Sequence, residues 1–225
     1  MIQFTRSIRK IFEDDPVGFL DNIGLMISQT IADHEAADDR PVRLTFKAMN
    51  NPAVRDRTGN REKIQCYMLT RAKPGETGFD AYIAKYKQGS TTPTTLGRAA
   101  RLCFTANMNG CTFGIGNQQA DGTLLVTHGN AAGHPTSRGF REKSSAAAAT
   151  ALQTAIQYTE AKDALGVGSR VFEPEHYRID GKQSVTFGVL NNRNKWRFYS
   201  MSYKRENGTA INFGVNPVGT NVIGA

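Results

Sequence analysis

The sequence has no long hydrophobic run and few cysteines, and both features exclude whole classes of protein. No stretch approaches the roughly 20 apolar residues that a membrane-spanning helix needs. Its 3 cysteines form neither a paired disulfide framework nor the Cys-x-x-Cys spacing of a zinc site, so we expect reduced thiols. The opening, MIQFTRSIRKIFEDD, also lacks the apolar core of a classical signal peptide.

The chain is basic, with a formal net charge of +8 and a sequence pI near 9.5. Nucleic-acid-binding surfaces usually concentrate Lys and Arg so that the side chains meet phosphates together. Here the basic residues are dispersed and often interrupted by acids, as in Arg55-Asp56-Arg57. This pattern favours a solvated surface or an acidic protein partner over nucleic acid.

The length of 225 residues suits one domain of about 200 residues, or a smaller domain with an extension. Apolar residues recur at helical spacing between Arg6 and His34, which predicts two helices, the second beginning near Pro16. We divide the chain into a helical N-terminal extension, residues 1–40, and a main domain, residues 41–225. The extension is either part of the core, which is favoured, or a secretion or docking segment.

From Val42 onward, short alternating runs separated by turn residues predict strands. The Ala-rich stretch from Arg141 to Ala164 predicts one long helix, and Gln88–Thr95 a loop. The expected fold is α+β, a mostly antiparallel β-sheet or sandwich with flanking helices. The predicted strands are Val42–Ala48, Lys63–Arg71, Phe79–Tyr86, Ala99–Ala106, Thr112–Ile115, Thr123–His128, Ser184–Leu190, Lys195–Tyr203 and Ala210–Val215.

The most informative stretch is LCFTANMNGCTFGIGNQQADGTLLVTHGN, residues 102–130. Its Asn109-Gly110 pair favours a tight turn with positive φ, from which Cys111 emerges. A reversal at Asp121-Gly122 then makes a hairpin, and the returning strand brings His128 back beside Cys111. A cysteine and a histidine that meet in this way can perform thiol chemistry, because the imidazole takes the thiol proton. The backbone N–H groups of the turn are candidate oxyanion donors.

The competing interpretation is structural, since a cysteine beside a glycine in a β-rich protein is usually a small buried apolar residue. His134 is an alternative base, although its Gly- and Pro-rich surroundings indicate a rim loop. Cys66 and Cys103 lie in apolar strands and are expected to be core residues. Aromatic side chains of the later strands are expected to be core as well, namely Trp196, Phe198 and Tyr203.

LCFTANMNGC, followed after one hairpin by TLLVTHGN, resembles the catalytic core of the cytotoxic necrotizing factor toxins, Burkholderia lethal factor and the CheD-family chemoreceptor deamidases. The resemblance covers about thirty residues. It implies that Cys111 is the nucleophile and His128 the base. Thr105, six residues before the cysteine, corresponds to a threonine that orients the histidine. Asn109 stands where the toxins usually carry Ser before the Gly-Cys pair.

The resemblance further implies a bacterial toxin or effector that deamidates a Gln or Asn side chain of a target protein through a thioester. It requires no metal or organic cofactor. Expected substrates are host regulatory proteins such as a small GTPase or a translation factor. The implied setting is a monomeric effector, secreted without a classical signal peptide, that acts in the target-cell cytoplasm. The open alternatives are a transglutaminase, a cysteine peptidase and a non-enzymatic basic RNA-binding or scaffold protein.

Overall fold

The computed structural model describes residues 12, 14–21, 24–27, 31, 39–49, 54–55, 66–132, 134, 145–177, 182–206 and 209–218. Its helices include a short helix, Pro16–Asp21, and a long helix, Ala146–Leu165. The strands are β1 (Gly24–Ile27), β2 (Val42–Ala48), β3 (Val54–Arg55), β4 (Cys66–Arg71), β5 (Phe79–Ile83), β6 (Ser90–Leu96), β7 (Leu102–Phe104), β8 (Thr112–Ile115), β9 (Leu124–Asn130), β10 (Arg170–Phe172), β11 (Gln183–Leu190), β12 (Trp196–Glu206) and β13 (Thr209–Pro217).

Within the described residues these strands form two sheets. The large sheet has the order β1-β4-β2-β5-β7-β11-β12-β13-β3, and the small sheet has the order β10-β8-β9-β6. Every pairing in the small sheet is antiparallel, whereas the large sheet mixes antiparallel pairs with the parallel pairs β1–β4, β5–β7 and β13–β3. The predicted α+β class with a mostly antiparallel core is confirmed.

The two sheets pack face to face, with helices outside them. Successive side chains of β11 point to opposite faces of the large sheet. Val185 and Phe187 lie in an apolar cluster on its outer face, whereas Leu190 lies in a second cluster between the two sheets. The short helix packs near β1, β12 and β13, and the long helix packs on the small sheet. None of the described helices has the length and apolar character needed to cross a bilayer.

The boundary predictions succeed unevenly. Strands β2 and β8 have the predicted bounds, and the long helix begins at Ala146, where the hydroxyl of Ser145 accepts a hydrogen bond from the Ala148 N–H. The predicted loop at Gln88–Thr95 is wrong, because residues 90–96 form β6. The prediction also missed β10.

Part of the predicted N-terminal helical segment is a strand. The short helix begins at Pro16 as expected, but Gly24–Ile27 forms β1 and pairs in parallel with β4. Phe19 and Leu25 belong to the apolar cluster on the outer face of the large sheet, which agrees with the core interpretation of this segment. Its use for secretion or docking, and a domain boundary at residue 40, stay predictions.

Candidate active site

The cysteine turn has the predicted backbone. Gly110 has a φ of 89°, in the left-handed region that glycine adopts without steric cost, while Asn109 is exposed. Tyr177 and Gln157, far along the sequence, hydrogen-bond to this turn. Cys111 follows immediately and begins the run into β8. The turn therefore places the thiol at the start of a strand, as the sequence predicts.

The hairpin register places Cys111 and His128 on the same face of the small sheet. Phe113 lies directly opposite His128, so their side chains share a face. Cys111 precedes Phe113 by two residues, and both belong to the cluster between the sheets. Cys111 and His128 are thus diagonal neighbours, a relation with a typical separation of roughly 7–8 Å. Gly122, with a φ of 88°, lies at the predicted hairpin tip.

His128 is fully buried, with an exposed fraction of 0%. Its ring lies 5.0 Å from the ring of Tyr86, centroid to centroid. Across the described part of the chain, neither imidazole nitrogen has a hydrogen-bond partner. Burial lowers the pKa of His128 to about 4, because the charged imidazolium is poorly solvated in this layer. The imidazole is therefore neutral at physiological pH and can accept a proton.

Cys111 is also buried, with 4% of its surface exposed. Since the nitrogens of His128 have no partner among the described residues, no hydrogen bond joins them to the Cys111 thiol in this arrangement. Catalytic hydrogen bonds are often long or poorly aligned before a substrate binds. The pair nevertheless lies within the layer between the sheets, where both side chains are buried.

Thr105 does not form the expected hydrogen bond with the imidazole of His128, whose nitrogens have no partner among the described residues. Its hydroxyl oxygen accepts a hydrogen bond from the Thr186 N–H at 3.0 Å, and its own N–H donates to the Thr186 carbonyl at 2.9 Å. These bonds extend the pairing of β7 with β11 beyond Phe104. The hydrogen bond from Thr105 to His128 is absent, so this part of the prediction is corrected.

The predicted oxyanion donors at Asn109 and Gly110 are only partly in place. The Gly110 N–H donates to the hydroxyl of Tyr177 at 3.0 Å, so it is already occupied. Asn109, the other predicted residue of this site, is exposed. An oxyanion would have to displace the Tyr177 hydroxyl in order to bind the Gly110 N–H.

The alternative base, His134, makes a different contact. Its Nε2 lies 3.4 Å from a carboxylate oxygen of Glu160, which belongs to the long helix. The long helix packs on the outer face of the small sheet, where Leu165 and Ala161 approach Gly114. Cys111 lies on the opposite, inner face, so the arrangement favours His128 over His134 as the base.

The remaining candidate residues behave as core. Cys103 is buried in the layer between the sheets, and burial raises the pKa of its thiol. Trp196, Phe198 and Tyr203 are buried as predicted. The expected core position of Cys66 lies outside the described side chains, although its backbone begins β4.

A cleft with a volume of about 790 Å³ was not predicted from the sequence. Lys162 of the long helix, Arg170 of β10 and His176 contribute basic groups to it, and Glu173 and Glu175 contribute carboxylates. These residues lie between positions 162 and 176 and form no recognised sequence motif. Cys111 and His128 do not line this cleft.

Comparisons with known proteins add no assignment to this site. No protein-family model matches the chain, and no curated protein matches it in sequence.

Proposed function

We propose that this protein is a thiol amidohydrolase that deamidates a Gln or Asn side chain of a protein substrate. One observation carries the proposal. Cys111 and His128 are diagonal neighbours on one face of the small sheet, and neither nitrogen of the buried imidazole has a hydrogen-bond partner among the described residues. Leaving a buried polar group unpaired costs about 1–3 kcal/mol, and a catalytic role accounts for a histidine kept at this cost.

The proposed reaction begins when His128 takes the proton of the Cys111 thiol. The sulfur then attacks the carboxamide carbon, and the tetrahedral intermediate releases ammonia with a proton from His128. A thioester remains on Cys111. Water, deprotonated by His128, hydrolyses the thioester to a carboxylic acid and regenerates the thiol. The net change is amide plus water giving acid plus ammonia.

The burial of the pair adds a requirement to this mechanism. With 4% of Cys111 and 0% of His128 exposed, a carboxamide reaches the thiol only after the covering side chains move. Conformational steps of this kind limit the rate of many enzymes. The proposed enzyme is therefore closed at rest and opens when it binds its protein substrate.

The resemblance of residues 102–130 to the deamidase toxins supports this reaction over other thiol chemistry. We extend the proposal to a toxin-like fold and to a monomeric, secreted effector that acts in the target-cell cytoplasm. Its substrate would be a regulatory protein such as a small GTPase or a translation factor. A single Gln-to-Glu change can disable such a protein, because a catalytic glutamine positions the attacking water in many GTPases.

The test compares wild-type protein with Cys111→Ser and with Cys103→Ser, a matched change at a second buried cysteine. Each is expressed in candidate host cells, and the proteome is searched for Gln-to-Glu and Asn-to-Asp conversions. Conversion should occur with the wild type and, where the variant folds, with Cys103→Ser, but not with Cys111→Ser. Equal conversion by wild type and Cys111→Ser would refute the proposal.

The same cells separate the rival thiol enzymes. Attachment of a labelled primary amine to the target would identify a transglutaminase, because the amine then replaces water at the thioester. Backbone fragments instead of an intact, modified target would identify a cysteine peptidase. Salt-sensitive RNA binding that Cys111→Ser leaves unchanged would identify a basic RNA-binding protein.

A further inference from the structure

Two side chains from distant parts of the sequence hold the backbone of the cysteine turn. The hydroxyl of Tyr177 accepts a hydrogen bond from the Gly110 N–H at 3.0 Å and donates one to the Cys111 carbonyl at 2.7 Å. The side-chain amide of Gln157 donates to the Gly110 carbonyl at 3.1 Å. Three backbone groups of two consecutive residues are therefore bound by two side chains.

Both side chains are buried, so water does not compete for these bonds. Tyr177 is 2% exposed and Gln157 is 0% exposed. A buried hydrogen bond is strengthened by the low local dielectric constant, and its loss leaves a buried polar group without a partner. The turn is thus fixed more firmly than its short Asn-Gly sequence would achieve alone.

The two side chains are themselves firmly placed. Gln157 lies within the long helix, near Gly129 of β9, whose neighbour in sequence is His128. The ring of Tyr177 lies 5.5 Å from the ring of Phe172 in β10, which pairs with β8. Each is therefore tied to the strands that carry Cys111 and His128, and not only to the turn.

We infer that Tyr177 and Gln157 are positioning residues that hold the Gly110–Cys111 backbone so that the thiol stays on the face of His128. This inference rests on the proposed function, because it assigns the thiol a partner. Backbone dihedrals at Gly110 and Cys111 set the direction of the Cys111 side chain. With the two carbonyls and the Gly110 N–H fixed, rotation of the peptide away from His128 is opposed.

The test uses Tyr177→Phe and Gln157→Leu, which remove the hydrogen-bonding atoms and keep most of the volume. Tyr203→Phe is the matched control, because the Tyr203 hydroxyl bonds to Gln183 at 3.0 Å in the cluster on the other face of the large sheet. Amide hydrogen exchange at Gly110 is measured first. We expect it to accelerate about tenfold in Tyr177→Phe, which removes its acceptor, and to stay unchanged in Tyr203→Phe.

The second measurement is the rate of Cys111 alkylation by iodoacetamide, with peptide mapping to identify the cysteine. Each variant is compared with and without His128→Asn, so that the contribution of His128 is isolated. In Tyr177→Phe and Gln157→Leu that contribution should fall about tenfold from its wild-type value, and in Tyr203→Phe it should be retained. A purely structural role would leave the contribution of His128 unchanged.

The outcomes separate the inference from the proposed function. If His128 accelerates alkylation equally in wild type and in both variants, the positioning role is overturned and the proposed pair stands. If alkylation of the wild type does not depend on His128, the proposed pair is overturned. Hydrogen exchange then decides whether Tyr177 holds the turn at all, and unchanged exchange at Gly110 overturns that as well.

Discussion

The two faces of the large sheet have different compositions. Its outer face carries a cluster of interlocking aromatic rings, in which Phe104 lies 6.2 Å from Phe12 and 6.5 Å from Phe187, centroid to centroid. Its inner face contacts a layer that has aromatic rings of its own and also holds Cys111 and Met108. Buried His128 lies in the strand facing this layer, with no hydrogen-bond partner for its nitrogens among the described residues.

The difference suggests separate roles for the two faces, stability for the outer face and reactivity for the inner one. Burial of apolar surface is favourable and non-directional, so the hydrophobic effect is a sufficient explanation for the outer cluster. An unpaired imidazole in the inner layer reduces stability, as functional groups in proteins often do. We therefore expect changes to the outer face to alter the free energy of unfolding, and changes to the inner pair to alter reactivity.

The largest effect is expected at Phe104, which is fully buried in the outer cluster. Phe104→Ala should lower the free energy of unfolding by about 3–5 kcal/mol, because it removes a ring and leaves a cavity. Urea denaturation measures this change, and Val167→Ala is the control because Val167 is 97% exposed. A loss under about 1 kcal/mol would contradict the close packing of Phe104 in this cluster.

The next effect is the pH dependence that His128 contributes. Its pKa is about 4 in the folded chain and 6.5 in the unfolded chain. Between pH 6.5 and 4, His128 is protonated more often in the unfolded chain than in the folded chain. The contribution of His128 to the free energy of unfolding is therefore highest above pH 6.5, where His128 is neutral in both states, and it declines as the pH falls toward 4. The decline amounts to about 3 kcal/mol.

We compare wild type and His128→Leu by urea denaturation between pH 7.5 and 4, a range that spans the two pKa values of His128. The difference between the two proteins isolates the contribution of His128, because the other titrating groups are common to both. The variant should gain stability relative to wild type as the pH falls. A constant difference between wild type and His128→Leu at all pH values would contradict the low pKa of His128.

A smaller effect is expected at Thr105. Thr105→Val removes the oxygen that accepts the Thr186 N–H, and should cost about 1–2 kcal/mol in the free energy of unfolding. Thr105→Ser keeps that oxygen and should retain most of the stability. Because Thr105 does not bond to His128, neither variant should alter the contribution of His128 to Cys111 alkylation. An altered contribution with unchanged stability would restore the orienting role.

Local sequence signals predicted the parts of the site that local geometry determines. Asn109-Gly110 and Asp121-Gly122 form the expected turns, and the hairpin of β8 and β9, with Asp121-Gly122 at its tip, brings Cys111 and His128 to one face. The signals failed where tertiary pairing decides. The stretch Gln88–Thr95 was predicted as a loop, yet residues 90–96 form β6. This strand accepts Pro93 because it is the edge of the small sheet and needs hydrogen bonds on only one side.

Long-range contacts were beyond prediction for the same reason. Gly24–Ile27 continues a helical pattern of apolar residues but becomes a strand through parallel pairing with β4. Tyr177 and Gln157 reach the cysteine turn from 67 and 47 residues away from Gly110, and nothing in their local sequence indicates it. Residues that contact a motif only in the folded chain can be identified only from the structure.

The most direct measurement of the central claim is the rate of Cys111 alkylation at neutral pH in wild type, His128→Asn and His134→Asn. Peptide mapping assigns the modified cysteine, and folding of each variant is checked by denaturation. If His128 is the base, His128→Asn should slow alkylation of Cys111 by at least about tenfold, a conservative bound for general-base catalysis, while His134→Asn should match the wild type. Equal rates in wild type and His128→Asn, or slowing only in His134→Asn, would contradict the account.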